Sequence, residues 1–421
     1  MSKKKKGLVP ELRFPEFSKT DPWENTKLSS VLIEHGQKST GKELVFSVSV
    51  QKGLVNQVEH LGRSFSASNT ERYNLVLKGD VVYTKSPTGE FPFGIVKQSR
   101  QENPVIVSPL YGVFQPQTIG LGTMLESYFE SPENTKLYLE PLVQKGAKNT
   151  ININNKKFLS GRLPLPKNRS EQQRLGEFID SIDELIALYA KKLEALNTHK
   201  KSLIQQLFPA GGEVSPKLRL PEFRNSGEWV KAKISDLLRK VSNPVNVQGD
   251  EFYREIGIRS HGKGVFHKEP ILGKALGNKR VFWVEKNSFV VNIVFAWELA
   301  VANTSGDEEG MIASHRFPMY KPYKNRADVT YIKYFFLTPK GKELLWIASP
   351  GGAGRNKTLG QKDFESLEFL IPPCLDEQKR IAGFLSSIDE LIGDASRKLD
   401  ELRVYKRGLV QRIFPVMDDV I

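Results

Sequence analysis

The segment from Glu171 to Pro209, EQQRLGEFIDSIDELIALYAKKLEALNTHKKSLIQQLFP, returns from Glu377 to Pro415 as EQKRIAGFLSSIDELIGDASRKLDELRVYKRGLVQRIFP, with 18 of 39 positions identical and a constant offset of 206. A second block keeps the same offset, since PELRFPEF from Pro10 recurs as PKLRLPEF from Pro216 and Trp23 recurs as Trp229. Such a chain must fold as two copies of one frame of equal length. The contents differ. The roughly 130 residues between the paired blocks, about one small domain in each copy, share only scattered matches such as Ser108 with Ser314, Tyr128 with Tyr334 and Gly146 with Gly352. A repeated frame around divergent contents suits a molecule that reads two different things at a fixed separation.

Within the first long block Ile182, Ile186, Tyr189, Leu193, Leu196, Lys200, Leu203 and Leu207 alternate spacings of four and three, the seam of a coiled coil. The second block repeats it at Ile388, Ile392, Ala395, Leu399, Leu402, Lys406, Leu409 and Ile413, and Phe208-Pro209 and Phe414-Pro415 end the two helices. Glu171 to Leu207 predicts a helix of roughly 55 Å, about one and a half turns of B-DNA. Parallel, in-register pairing would set Lys200 against Lys406, two like charges in one seam. Antiparallel pairing separates them, relates the repeats by a pseudo-two-fold axis and puts the variable regions at opposite ends of a spacer.

The 421 residues carry a net charge of +14 and are 39% apolar, which predicts ordinary cores and a polyanionic partner such as nucleic acid. No apolar run reaches transmembrane length, and the four lysines Lys3 to Lys6 lead into Pro10 without a secretory core, so a cytoplasmic location is expected. The lone Cys374 follows Pro372 and Pro373 without the neighbours a reactive thiol needs.

The variable regions, 24 to 166 and 230 to 372, mix strand-like runs (Val45 to Val50, Asp80 to Tyr83, Val281 to Val284, Phe289 to Phe295) with helical ones, which predicts an α+β fold for each. Polar and basic loops between those runs offer groups suited to base edges and phosphates. In the first region the candidates are Gln51, Lys52, Arg63, Arg72, Lys85, Ser86, Lys145, Lys148 and Asn149. In the second they are Arg259, His261, Lys263, Asn303, Arg355, Asn356 and Lys357. Each is also an ordinary surface residue in type, so position must decide.

Catalytic patterns fail one by one. GGAGRNKT, Gly351 to Thr358, nearly matches a nucleotide phosphate loop, but Asn356 stands where the second glycine belongs and a helix rather than a strand is expected before it. His35, His60, His199, His261, His267 and His315 show no metal-ligand spacing, and no metal site is expected. Glycine-rich dinucleotide or adenosylmethionine loops are missing from the sequence as well. These readings favour a non-catalytic binding subunit over a nucleotide-dependent enzyme, and the basic loops favour DNA over the alternative of a coiled-coil protein–protein adaptor.

With those residues in view, the chain resembles the DNA specificity subunit of type I restriction-modification systems along essentially its whole length. The resemblance rests on Leu163 to Pro166 (LPLP) and Leu370 to Pro373 (LIPP) before the EQ-x-R of Glu171 and Glu377, the SIDELI segments from Ser181 and Ser387, the Phe-Pro ends and the LRFPEF-type starts. Gly79-Asp80-Val81, Ser108 to Tyr111 and the segment from Ser349 resemble parts of its target recognition domains. The resemblance implies target recognition domain 1 at 1–166, a conserved helix at 167–209, a linker at 210–215, target recognition domain 2 at 216–373, a second helix at 374–415 and a tail at 416–421. It implies that each domain reads half of a bipartite double-stranded DNA site. It further implies two methyltransferase subunits and restriction motor subunits as partners, with S-adenosylmethionine and ATP held by those partners. One departure stands out: Gln144 to Asn149 keeps only part of the glycine- and arginine-containing loop at Gly351 to Lys357.

Overall fold

A computed structural model describes residues 8–61, 70–145, 151–351 and 357–415. The chain divides into two compact units, Met1–Ala190 with Arg397–Ile421, and Lys191–Ser396. This division follows a different line from the segment boundaries read from the repeat. Each unit holds one variable region, the beginning of the long helix that follows it and the closing turns of the other long helix.

Both units are α+β and share one plan. In unit 1 a four-stranded antiparallel sheet runs in the order Leu32–Ile33, Gly112–Pro116, Val81–Tyr83, Val96–Gln98. In unit 2 the order is Leu238–Val241, Met319–Pro322, Phe289–Val291, Val301–Asn303. The strands are shorter than the sequence runs that announced them. The third strand of each sheet, Val81–Tyr83 and Phe289–Val291, is apolar and buried on both faces, and in each unit a helix covers the sheet. In unit 1 that helix is Ile119–Phe129, capped by the Thr118 hydroxyl, and in unit 2 it is Val329–Phe336, capped by the Asp328 carboxylate. The repeated LPLP and LIPP segments form the frame strands: Arg162–Leu165 pairs with Glu24–Lys27, and Glu368–Ile371 with Val230–Lys233, in registers that differ by the repeat offset alone.

The long helices run Arg169–Leu207 and Leu375–Ile413, 39 residues each, and start two residues ahead of the repeated glutamates. Asn168 explains the first start, because its side chain accepts from the Ser170 N–H at 2.8 Å and satisfies a first-turn donor. Both helices stop just before Phe-Pro, where the proline has no N–H to continue them. Every seam position is buried or half-buried. The pairing is antiparallel within each unit. In unit 1 Leu175 lies near Ile413 while Asp183 meets Lys406, and in unit 2 Lys200 meets Asp389 while Leu203 to Phe208 share a core with Ile381 to Ile388.

The frame residues repeat bond for bond. Arg13 Nε and Nη2 donate to the two carboxylate oxygens of Glu171 at 2.7 Å, and the Trp23 indole donates to the same carboxylate at 2.9 Å. Arg219 makes the same fork to Glu377 at 2.8 Å, with Trp229 at 3.3 Å. Each tryptophan also meets the phenylalanine that ends the other repeat's helix: Phe414 stands edge-on to Trp23 at 6.0 Å, and Phe208 to Trp229 at 6.4 Å. The closing turn of each helix is therefore part of the hydrophobic core built on the other copy's frame.

Around the seam lysines the units part. In unit 1 Lys406 bridges Glu130 (2.6 Å) and Asp183 (2.7 Å). Lys97 links Glu130 to Glu126, and Arg100 joins Glu126 to Asp180. In unit 2 the position equivalent to Glu130 is Phe336, and among the described residues Lys200 has Asp389 as its one acidic partner, which also accepts from the Tyr334 hydroxyl at 2.7 Å. Backbone spacing differs too: a Cβ on Gly176 would lie 2.2 Å from Gly120 Cα, a contact that only two glycines permit.

Candidate nucleic-acid interface

In unit 2 the sequence-selected loops converge on one segment, residues 292–300. The hairpin formed by Ile256–Ile258 and Val265–His267 turns through Arg259, His261 and Lys263, all exposed. The His261 and Gly262 N–H groups donate to the carbonyls of Glu298 and Leu299 at 2.8 Å, and the Ser260 hydroxyl donates to the Glu298 carboxylate at 3.0 Å. The turn is thereby fixed against the segment. The Arg259 guanidinium lies 4.8 Å from the Phe266 ring centre and donates from Nη1 to the Val265 carbonyl at 3.3 Å, two contacts that orient it on the exposed turn.

Trp297, from the same segment, stands edge-on to Trp346 at 6.1 Å, and the Lys357 ammonium lies over the Trp346 ring. Leu359 N–H donates to the Ile293 carbonyl at 2.8 Å and so anchors the chain that leaves Lys357. Phe295 and Trp346 remain 40% and 50% exposed. Exposed aromatic faces beside arginine and lysine are the ingredients of base stacking and phosphate contact. Sequence reasoning missed Phe295, Trp297, Trp346 and Glu298 because it selected for charge and amide groups. The available signal was three aromatic residues within or bordering basic loops.

Asn303 has a different place. Its amide pairs with Thr330 at 3.0 Å, at the start of helix Val329–Phe336, so it is turned inward and engaged.

In unit 1 Gln51 and Lys52 sit exposed at the tip of the hairpin formed by Phe46–Ser49 and Gly53–Asn56. Arg72 is exposed before strand Asn74–Val76, and Ser86 is exposed after strand Val81–Tyr83. Lys85 is half-buried with a left-handed φ of 61°, fitted against Gly94, where a Cβ would meet the Lys85 nitrogen at 2.7 Å. Burial lowers the pKa of its ammonium, and the nearby Glu34 carboxylate offsets only part of that. Lys145 belongs to the small hairpin Gln144–Lys145 with Ile151–Asn152, its side chain outside the described residues. Arg63, Lys148, Asn149, Arg355 and Asn356 also lie outside them. No hydrogen bond among the described residues ties the unit 1 candidates together.

A second surface emerges on the long helices. Arg174, Phe178, Ser181 and Leu185 lie on one helical face, and Arg380, Phe384, Ser387 and Leu391 are the identical residues of the second copy. Leu185, Phe384 and Leu391 are 44%, 39% and 49% exposed. Neither folding nor the core requires exposed leucine to be kept in both copies.

The GGAGRNKT segment follows helix Pro339–Ile347, where a phosphate loop would follow a strand. Among the described residues no cluster of three or more histidine, cysteine, aspartate or glutamate side chains is arranged for a metal, and no helix is long and apolar enough to cross a membrane.

Residues 227–403 match the type I restriction modification DNA specificity domain family. The chain is 25% identical over 283 residues to a protein of Methanocaldococcus jannaschii described as the type I restriction enzyme MjaX specificity subunit, covering 64% of this chain. It is 23% identical over 279 residues, 61% of this chain, to the MjaVIII specificity subunit of the same organism. The chain spans 62% of the length of each of these relatives. The crystal structure of a type I restriction-modification system S subunit from M. genitalium has the same fold, with a TM-score of 0.61 at 11% identity over 98% of this chain and 100% of that one.

Proposed function

Because this chain belongs to the family of type I restriction-modification specificity subunits, we propose that it gives such a complex its DNA sequence specificity, each unit reading one half of a bipartite site. The observation that carries this is the contrast between joints that repeat bond for bond and loops that share almost nothing. A frame under one constraint and contents under another is what two independent readers on a common mount require.

Arg259, His261, Lys263 and Lys357 in unit 2, and Gln51, Lys52, Arg72, Lys85 and Ser86 in unit 1, are assigned to DNA, with Lys357 on a phosphate. The exposed faces that include Leu185 and Leu391 are assigned to two copies of one methyltransferase partner, since identical exposed residues suit identical contacts. Each long helix is one uninterrupted element whose two ends belong to different units, and we assign to the helix pair the setting of the gap between half-sites. The methyl donor and ATP are assigned to partner subunits, and the chain itself to a non-catalytic role in the cytoplasm.

The test is an exchange. Replacing residues 24 to 160 with the equivalent region of another specificity subunit, then mapping methylated bases across the genome, should change one half of an interrupted motif and preserve the other half and the gap. A change in both halves would break the independent-reader reading.

A further inference from the structure

Unit 2 contains a cleft of about 190 Å³ that the sequence reading did not single out. Lys240 on strand Leu238–Val241, Arg280 just ahead of strand Val281–Trp283, His315 just after strand Ile312–Ser314, and Gln361 at the start of helix Gln361–Glu365 surround it. Phe282 and Phe317 add apolar wall, and no carboxylate lines it. The Lys240 ammonium donates to the Gln361 side-chain oxygen at 2.5 Å, and the His315 N–H donates to the Arg280 carbonyl at 3.1 Å, so the basic residues are tied to a fixed rim. Lys240, Arg280 and His315 are all exposed, and among the described residues neither Arg280 nor His315 has an acidic partner. Two permanent cations converging on one concavity without an anion repel each other, and an anion placed between them removes that cost.

Size and position identify the anion. At roughly 30 Å³ per water the cleft holds about six waters' worth of space, enough for one phosphodiester group. Ile293 lines the cleft and belongs to the segment that also carries Trp297, and the Leu359 N–H that binds the Ile293 carbonyl lies two residues beyond Lys357. The cleft therefore adjoins the surface already assigned to DNA. In unit 1 the positions equivalent to Lys240 and Gln361 are Glu34 and Asn155, which hydrogen-bond to each other at 2.5 Å, so the same wall there carries the opposite charge.

We propose that the Lys240, Arg280 and His315 cleft binds a backbone phosphate of the DNA strand read by unit 2. It fixes that strand's register and adds affinity without sequence information, and unit 1 has no counterpart. This rests on the DNA-reading function above. A backbone contact of this kind weakens all sequences alike when removed and lowers the salt dependence of binding.

The test compares the full chain with a Lys240→Ala, Arg280→Ala double variant and with an Arg224→Ala, Lys231→Ala double variant that loses the same charge on exposed frame residues of unit 2. Binding of random-sequence duplex DNA is titrated across salt, and thermal shifts are read in millimolar inorganic phosphate. The cleft variant should bind more weakly, with its salt slope reduced by about one unit, while the control variant keeps the parent's slope. Equal loss in both variants would make the effect one of bulk charge and overturn the proposal. So would an unchanged slope, including the case where only a phosphate-dependent thermal shift disappears, which would assign the cleft to free phosphate. If the parent chain binds no duplex DNA, the DNA-reading function fails and this proposal with it. Normal parent binding with an unaffected cleft variant sinks this proposal alone.

Discussion

Unit 1 and unit 2 hold their frames with the same fork and close the seam in opposite ways. In unit 1 the seam lysine enters a chain of charges that reaches from Asp183 through Glu130, Lys97 and Glu126 to Arg100 and Asp180. In unit 2 the corresponding volume is aromatic: Phe335 stacks on Phe369 at 4.0 Å, Phe336 lies 5.5 Å from Phe289, and one aspartate and one tyrosine serve Lys200. The difference teaches where a duplicated chain is free to drift. A residue whose partners all lie in the repeated frame cannot change alone, as Glu171 and Glu377 illustrate. One whose partners come from the variable region changes with it, and Glu130 against Phe336 is such a position.

The first way to break this comparison is to remove the shared fork. Glu171 and Glu377 are each 1% exposed at the side chain and each satisfies an arginine and an indole. Alanine at either position strands a mostly buried guanidinium and should cost its own unit about 3–5 kcal/mol. Hydrogen exchange read on helix Ile119–Phe129 for unit 1 and Val329–Phe336 for unit 2 measures the two losses separately. The losses should be similar, with unit 2 slightly less affected because its indole bond is longer. A loss in one unit and none in the other would show that the frame is equivalent in sequence only.

The seam lysines should then behave unequally. Lys406→Ala leaves the Glu130 and Asp183 carboxylates facing each other in a partly buried joint, at a cost of about 2–4 kcal/mol to unit 1. Lys200→Ala leaves Asp389 with its tyrosine hydrogen bond and should cost unit 2 about 1 kcal/mol. The same exchange measurement decides, and equal losses would mean that the charge chain adds nothing beyond the single pair.

Much of this was legible in the sequence, for identifiable reasons. A seam with two lysines 206 residues apart disfavours parallel, in-register pairing on Coulomb grounds, and the antiparallel arrangement is the one that separates them. The partners Asp183 and Asp389 were visible inside the repeated SIDELI segments. The exchange of helix ends was not legible, because Trp23 and Trp229, like Phe208 and Phe414, are identical residues, and a repeat cannot say which copy a contact belongs to. The convergence of Arg259, His261 and Lys263 with Lys357 was hidden for another reason: the segment that joins them, 292–300, does so partly through backbone carbonyls, which leave no mark in the sequence, and partly through Trp297 against Trp346, residues about 50 positions apart with nothing in the sequence to pair them. Asn303 was misleading because an amide that closes onto a helix start has the same composition as one that reads a base.

The smallest expected effect is one of pH, and it isolates the charge chain without removing a side chain. Burial opposes ionisation of Glu130, but Lys97 and Lys406 more than offset it and hold its pKa below the ordinary 4.5. Asp183 goes the other way, since burial raises its pKa above the ordinary 3.8 and Lys406 offsets only part of the shift. A depressed carboxylate contributes stability that is present above its unfolded value and lost as pH falls through its folded value. A raised one contributes below its unfolded value and loses that as pH rises through its folded value. Acidification below the ordinary 4.5 therefore begins to remove the contribution of Glu130 while returning that of Asp183. Glu130→Gln keeps a hydrogen-bond acceptor, deletes the first of these and weakens the second, because the Glu130 charge helps to raise Asp183. The side chain of Glu130 is 35% exposed, so screening limits the change to about 0.5 kcal/mol. Glu255, Glu285 and Glu308 of unit 2 are also held low, so the informative quantity is wild type minus variant within each unit. That difference should appear in hydrogen exchange of helix Ile119–Phe129 and vanish in Val329–Phe336. An equal difference in both units would show that Glu130 acts through overall charge, and the ionic joint would lose its place as the feature that separates unit 1 from unit 2.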